Sequence, residues 1–179
     1  NRKGTEIVAQ HIRLPKNEDG EKEMPWVGEP LRVFQLFGQH LWGEGGRMVV
    51  VTEGEIDAMS VAQMQDLKWP VVSVPNGAKG SVQAIERASD WLETFDKVIF
   101  MFDADEAGRE GAADCATALT PGKAYIASLP EGTDPNDLLV SNRQSIIQKA
   151  IWEAKAFRPD FISSATDIIE EALTPVEWG

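Results

Sequence analysis

The 179-residue chain sets 17 Lys/Arg against 29 Asp/Glu, for a net charge of −12, with 42% hydrophobic residues and a single cysteine. A core of ordinary domain size is within reach, but the lone cysteine excludes disulfides within the chain and a cysteine-built zinc site, and no apolar run nears the ~20 residues of a membrane span. So acidic a chain is also a poor partner for phosphate backbones unless divalent cations mediate the contact.

The charge is uneven along the chain. Residues 1–47 hold seven basic and seven acidic residues, whereas residues 48–179 hold ten and twenty-two. "TEIVAQHIRL" (5–14) alternates enough to predict a strand, and "PKNEDGEKEMPWVGEPL" (15–31) is charged and Pro/Gly-rich, as expected of a loop or hairpin tip. "RVFQLFGQHLW" follows, and "GEGG" breaks the chain. From residue 47 the pattern changes. "RMVVVTE" reads as a strand covered on both faces, and "IDAMSVAQMQDL" as a helix with Ile56, Met59 and Ala62 on one side. "PVVSV" is a second buried strand, closed by "PNGAKG". Val82, Ile85, Ala88 and Leu92 mark an amphipathic helix with Ser81 as its N-cap. "KVIFMF" is a third strand, residues 106–119 an alanine-rich helix able to approach a sheet closely, and "KAYIASL" a fourth strand. "SNRQSIIQKAIWEA" is a further helix, broken near Arg158–Pro159, and "ATDIIEEAL" a last short one. Strands alternating with helices predict an α/β fold: a parallel four-stranded sheet flanked by helices and joined by right-handed crossovers.

In such a sheet, ligands collect beyond the carboxyl ends of the strands. Three of the four predicted strands end in acid: Glu53 with Asp57 after the first, Asp103 and Asp105 after the third, Asp134 and Asp137 after the fourth. Neighbouring strands lie ~4.8 Å apart, so these side chains can share one crevice. Hard carboxylate oxygens suit magnesium or manganese, and a pair of such ions can clamp a phosphoryl group. Each acid taken alone also fits helix capping or turn formation; acid at three strand ends is what capping does not require. The six tryptophans lack the regular spacing of a base-stacking platform, and most read as core or edge packing. Tyr125, inside a predicted strand, reads as structural.

"VVVTEGEIDAMS", "SVPNGA", "IFMFDADEAGREGA" and "LPEGTDPNDLL" together resemble the successive motifs of a TOPRIM domain, the module shared by bacterial-type primases, topoisomerases and some nucleases. With "LFGQHLW" ahead of them, they resemble more narrowly the primase half of the fused primase-helicases of T-seven-like phages and the related mitochondrial helicase Twinkle. The resemblance implies a TOPRIM-like Rossmannoid sheet with a small N-terminal β-rich subdomain (1–46), a catalytic domain with its C-terminal packing helix (47–157), and a linker helix (158–179) towards an absent helicase domain. On that implication the chain is a piece of a longer protein. It would be a DNA primase that joins ribonucleoside triphosphates into short RNA primers on a single-stranded DNA template, in the cytoplasm of a bacterial host during infection. Glu53 would be the acid/base glutamate. Together with Glu53, Asp103 and Asp105 would hold two or more magnesium or manganese ions, with Asp57 and Asp134 as further ligands directly or through water and Asp137 as an additional candidate. Gly54 and Gly77 would let backbone approach the site. Arg13, Lys22, Arg32, Arg47, Gly77 and Arg109 would meet nucleotide or DNA.

The departures from that family lie near the N-terminus, where His11 stands in place of an expected lysine and reads as an exposed strand residue. No Walker A motif and no paired cysteines occur, so the helicase and the zinc-binding module are absent from this piece, and the fragment is expected to be a monomer without membrane contact. Ile168, Ile169 and Leu173 are expected to dock on a neighbouring subunit's helicase domain. Three other readings use the same acids: a non-catalytic module of a Twinkle-like ring helicase, a TOPRIM nuclease, and a phosphatase of the haloacid-dehalogenase type. In that last class the Asp-x-Asp follows the first strand, whereas here it follows the third.

Overall fold

The computed structural model describes residues 7, 9–15, 17, 23–28, 35–75, 77 and 80–159. Two short strands, β1 (Ala9–His11) and β2 (Trp26–Gly28), pair antiparallel, with His11 opposite Trp26. The stretch expected to be a loop or hairpin tip contains β2, because Trp26 and Val27 supply the partner that β1 needs. The main sheet begins with β3 (Val49–Thr52), followed by α1 (Glu55–Met64), β4 (Val71–Ser73), α2 (Ser81–Leu92), β5 (Val98–Met101), α3 (Glu106–Thr117) and β6 (Ala124–Ile126). It closes with α4 (Pro135–Val140), α5 (Gln144–Trp152) and β7 (Lys155–Ala156).

The sheet order is β4-β3-β5-β6-β7, parallel except for β7. The expected four strands are thus joined by a fifth, two residues long and antiparallel on the β6 edge. So short a strand has no hydrophobic period to betray it. After β3 the chain steps to one side to form β4, then crosses back to form β5 on the other side. That reversal opens a crevice beyond the carboxyl ends of β3 and β5.

Alternation along the buried strands divides two cores. Val49, Val51 and Phe100 face α2 and α3, packing with Ile85, Leu92, Cys115 and Ala116. Val50, Ile99 and Met101 face α1, α4 and α5, packing with Val61, Leu138, Ile147 and Ile151. Gly108 fixes how closely α3 meets the sheet, since a Cβ there would lie 2.2 Å from the Asp103 carbonyl oxygen. Ahead of the sheet, Phe37 exchanges backbone hydrogen bonds with Ser73, and the Trp42 indole donates to the Val71 carbonyl.

Several local expectations change. In α1 the core face is Ala58, Val61 and Ala62; Met59 is 48% exposed, because the helix rolls to turn Asp57 inward. Gly80 occupies the N-cap of α2 in a left-handed conformation, and Ser81 becomes the first helical residue, fully buried. The "DPND" turn continues into α4, with Pro135 at its first position. Trp91 is buried and donates to the Gly43 carbonyl, Trp26 stacks on His11, and Tyr125 lies beneath the Lys97 ammonium. Trp69 and Trp152 are exposed, at 39% and 60%, and are not core residues. Ile168, Ile169, Leu173 and Trp178 lie outside the described residues.

Candidate active site

β3 runs directly into Glu53 and Gly54, and the turn is held by the buried Thr52 hydroxyl, which donates to the Gly54 carbonyl at 3.0 Å. Gly54 is the N-cap of α1. A Cβ on it would sit 2.5 Å from Asp57 Oδ2, so the absent side chain is what allows Asp57 to fold back over the helix start. Asp57 is 8% exposed and accepts the Asn136 backbone N–H at 3.2 Å, which ties the first turn of α4 to α1. The Ser60 hydroxyl donates to the Asn136 side chain beside it. Burial, then the neighbouring Asp134, push the Asp57 carboxyl up from 3.8 to about 6, despite the backbone hydrogen bonds that favour its charge.

Asp103 stands two residues beyond β5. Its Oδ1 is buried without a hydrogen-bond partner, an uncommon condition for a carboxylate oxygen. Burial raises its carboxyl from 3.8 to about 7, and Glu53, Asp57, Asp134 and Asp105 add to the rise in that order. Asp134 reaches the same place from the N-cap of α4, where its side chain accepts the Asp137 N–H at 2.6 Å. A cleft of about 440 Å³ is lined by Glu53, Asp57, Asp103 and Asp134, with Gly54, Gly77 and Asn136 between them. Gly77 has φ +63°, and a Cβ on it would stand 3.6 Å from Glu53 Oε1. The same cleft is also lined by His11, Arg13 and Met24 of the N-terminal segment and by Glu55 and Ile56 of α1.

Four of the five expected acids therefore share one crevice. Asp105 does not line it. It is exposed and caps α3, accepting the Gly108 N–H at 2.7 Å, although its charge still acts on Asp103. Asp137 is an exposed residue in the first turn of α4. Of the expected cations, Arg13 lines the cleft and Arg109 lies exposed on α3, away from the lining. Arg47 precedes β3, at the opposite end of that strand from Glu53, with its guanidinium 6.0 Å from the Trp152 ring centre. Six residues of extended chain separate it from Glu53, about 20 Å, too far for a place in this cleft. Lys22 and Arg32 lie outside the described residues.

His11 is the larger surprise. It is no free surface residue: its Nδ1 meets Glu55 Oε1 at 2.7 Å and its ring stacks on Trp26 at 4.4 Å. Asn136 and Glu55 went unremarked in the sequence, since a backbone donor has no side-chain signature and an acid one turn from another reads as a solvated helix start.

Among the described residues no three acids draw together into a closed coordination sphere. An ion here would therefore complete its shell with water and phosphate oxygens, as magnesium does with one or two carboxylates. The orphaned Asp103 oxygen and the all-carboxylate donor set fit such an ion.

Residues 50–139 match the Toprim-like family. A DNA helicase/primase of Enterobacteria phage T3 is 36% identical over 171 residues, covering 94% of this chain and 29% of that protein. The crystal structure of the primase fragment of the bacteriophage T7 primase-helicase superposes with a TM-score of 0.74 at 36% identity, covering 85% of this chain and 60% of that one. A second T7 structure shows lagging-strand DNA polymerase interacting with primase domains bound to an RNA/DNA hybrid and dTTP. Its matching chain is 34% identical, with a TM-score of 0.74, over 88% of this chain and 76% of that one. This chain thus spans less than a third of the T3 protein.

Proposed function

This chain belongs to the Toprim-like family, with the primase domains of T7- and T3-like phage primase-helicases, and from that premise we propose that it polymerises ribonucleotides into short primers on single-stranded DNA. Toprim domains typically bind divalent metal, and five carboxylates line the crevice, Glu53, Asp57, Asp103 and Asp134 beside the His11-paired Glu55. Asp103 would be the principal ligand to such an ion, with Asp57 and Asp134 as further ligands directly or through water. Magnesium bound there would neutralise phosphate oxygens and stabilise charge on the attacking and leaving groups. Glu53 accepts the proton of the primer 3′-hydroxyl as that oxygen bonds to the α-phosphorus and the bond to pyrophosphate breaks. Arg13, lining the same cleft, meets the triphosphate. Asn136 and Gly54 act through Asp57, by holding its carboxylate in place. In the longer protein, a helicase domain and neighbouring subunits would complete the assembly.

The observation that carries this reading is the buried, unpartnered oxygen of Asp103 among three other acids at the point where the sheet order reverses. Incubation with single-stranded DNA, ribonucleoside triphosphates and magnesium should yield oligoribonucleotides. Asp103→Asn should reduce that yield by about 100-fold or more, as expected when a ligand to a catalytic ion is lost. Synthesis indifferent to the substitution would refute the assignment. The presence of one arginine, Arg13, against the acids lining the cleft among the described residues favours one alternative, a DNA-contacting module of a Twinkle-like ring helicase without chemistry of its own. Manganese binding without nucleotide turnover would support it.

A further inference from the structure

The face of the N-terminal hairpin that looks into the cleft is set by strand register. His11 ends β1 opposite Trp26, and Arg13 follows two residues later, at the spacing that returns to the same side of an extended chain. Backbone hydrogen bonds from Ile12 to Pro25 and from Leu14 to Glu23 carry the pairing on past Arg13. Two short strands alone are marginal in water. Their position over the acids therefore depends on what ties them to the rest of the molecule. Among the described residues, His11 supplies a tie on this face. Its Nδ1 reaches Glu55 Oε1 at 2.7 Å, with the two side chains only 17% and 20% exposed, and its ring is held parallel to Trp26 within 3°. Glu55 is the first residue of α1, the helix that also presents Asp57. One contact thus couples the hairpin bearing Arg13 to the helix bearing a carboxylate of the metal crevice.

We propose that His11 is a positioning residue for nucleotide binding: through Glu55 on one side and Trp26 on the other, it holds the hairpin so that Arg13 faces the carboxylate cleft and receives the triphosphate. The inference rests on the primase reading for its ligand, while the clamp itself stands on the contacts between His11, Glu55 and Trp26. His11 performs no chemistry on the substrate. Removing it loosens the wall, and the effect falls on nucleotide affinity rather than on turnover.

The experiment compares His11→Ala, His11→Gln and Arg13→Ala in primer synthesis, with equilibrium binding of magnesium-ATP measured in parallel and unfolding temperatures recorded for each variant. His11→Ala should raise the KM for ATP about tenfold with kcat within about twofold, the scale of one lost hydrogen bond to a charged group. His11→Gln, which can still donate to Glu55, should recover much of that loss. The double variant His11→Ala/Arg13→Ala should be no worse than Arg13→Ala alone. Unchanged KM and unchanged ATP affinity in His11→Ala, a fall in kcat alone, or strict additivity with Arg13→Ala would each overturn the clamp. A wild-type chain that binds magnesium-ATP but makes no primer would sink the polymerase reading instead, and the binding comparison would then decide the clamp by itself.

Discussion

Asp103 has one oxygen sealed from water with nothing donating to it, and four other acids act on its charge. Such a group destabilises the metal-free fold, so the residue most needed for the proposed chemistry is one the fold would do better without. Asp103→Asn removes the charge while keeping the shape. It should stabilise the metal-free protein at pH 8 by roughly 1–3 kcal/mol, a few degrees in Tm, as it abolishes synthesis. Thermal unfolding in EDTA checks the first half, and a Tm at or below wild type would mean that Asp103 is better solvated than its burial implies. At this scale much of the site was legible, because position decides it: Glu53, Asp57, Asp103 and Asp134 were picked out by standing after strand ends. What escaped was orientation. Nothing in the local pattern says that Asp57 turns inward against Asn136, or that His11 turns towards Glu55 rather than to solvent.

Helix starts supply two of these acids with a second employment. Asp134 both caps α4 and lines the cleft, whereas Asp105 caps α3 from outside it. The two roles of Asp105 can be separated, because serine also caps a helix but carries no charge. Asp105→Ser should leave stability within about 0.5 kcal/mol of wild type. It should also shift the magnesium midpoint of synthesis upward several-fold, with activity restored at higher magnesium, since only a charge acting at a distance has been lost. An unshifted magnesium midpoint would reduce Asp105 to a cap. The elements themselves were read from sequence wherever a run was long and periodic, as in β3, β5, α2 and α3. They were missed where the run was short. β7 is two residues, β2 is three within a charged stretch, and α4 is one and a half turns hidden in a motif that also reads as a turn. The face of α1 was misjudged because its apolar residues surround it, so that the inward roll of Asp57 chose the side.

Over the whole molecule, the acids of the crevice make stability depend on pH in a direction opposite to the usual carboxylate case. In the unfolded chain Asp57 and Asp103 titrate near 3.8; in the folded protein they are raised to about 6 and about 7. Between those limits the folded state holds more protons than the unfolded one, so stability must fall as pH rises. Their contribution is fully present below about pH 4 and gone above about pH 7. With a net charge of −12, the rest of the chain adds repulsion in the same direction. Divalent cations bound at the proposed site would reverse the balance, since they would bind its ionised form in the folded state and compete with the protons for it. In EDTA, the Tm should therefore decline from about pH 5 to about pH 8, and saturating magnesium should flatten that decline by raising the Tm at the alkaline end and barely at the acid end. Calorimetry across that range, with and without magnesium, reads both effects. A metal-free Tm that rose through the same window would mean that Asp57 and Asp103 are charged and compensated by the protein's own groups, and the crevice would then have no call on a cation.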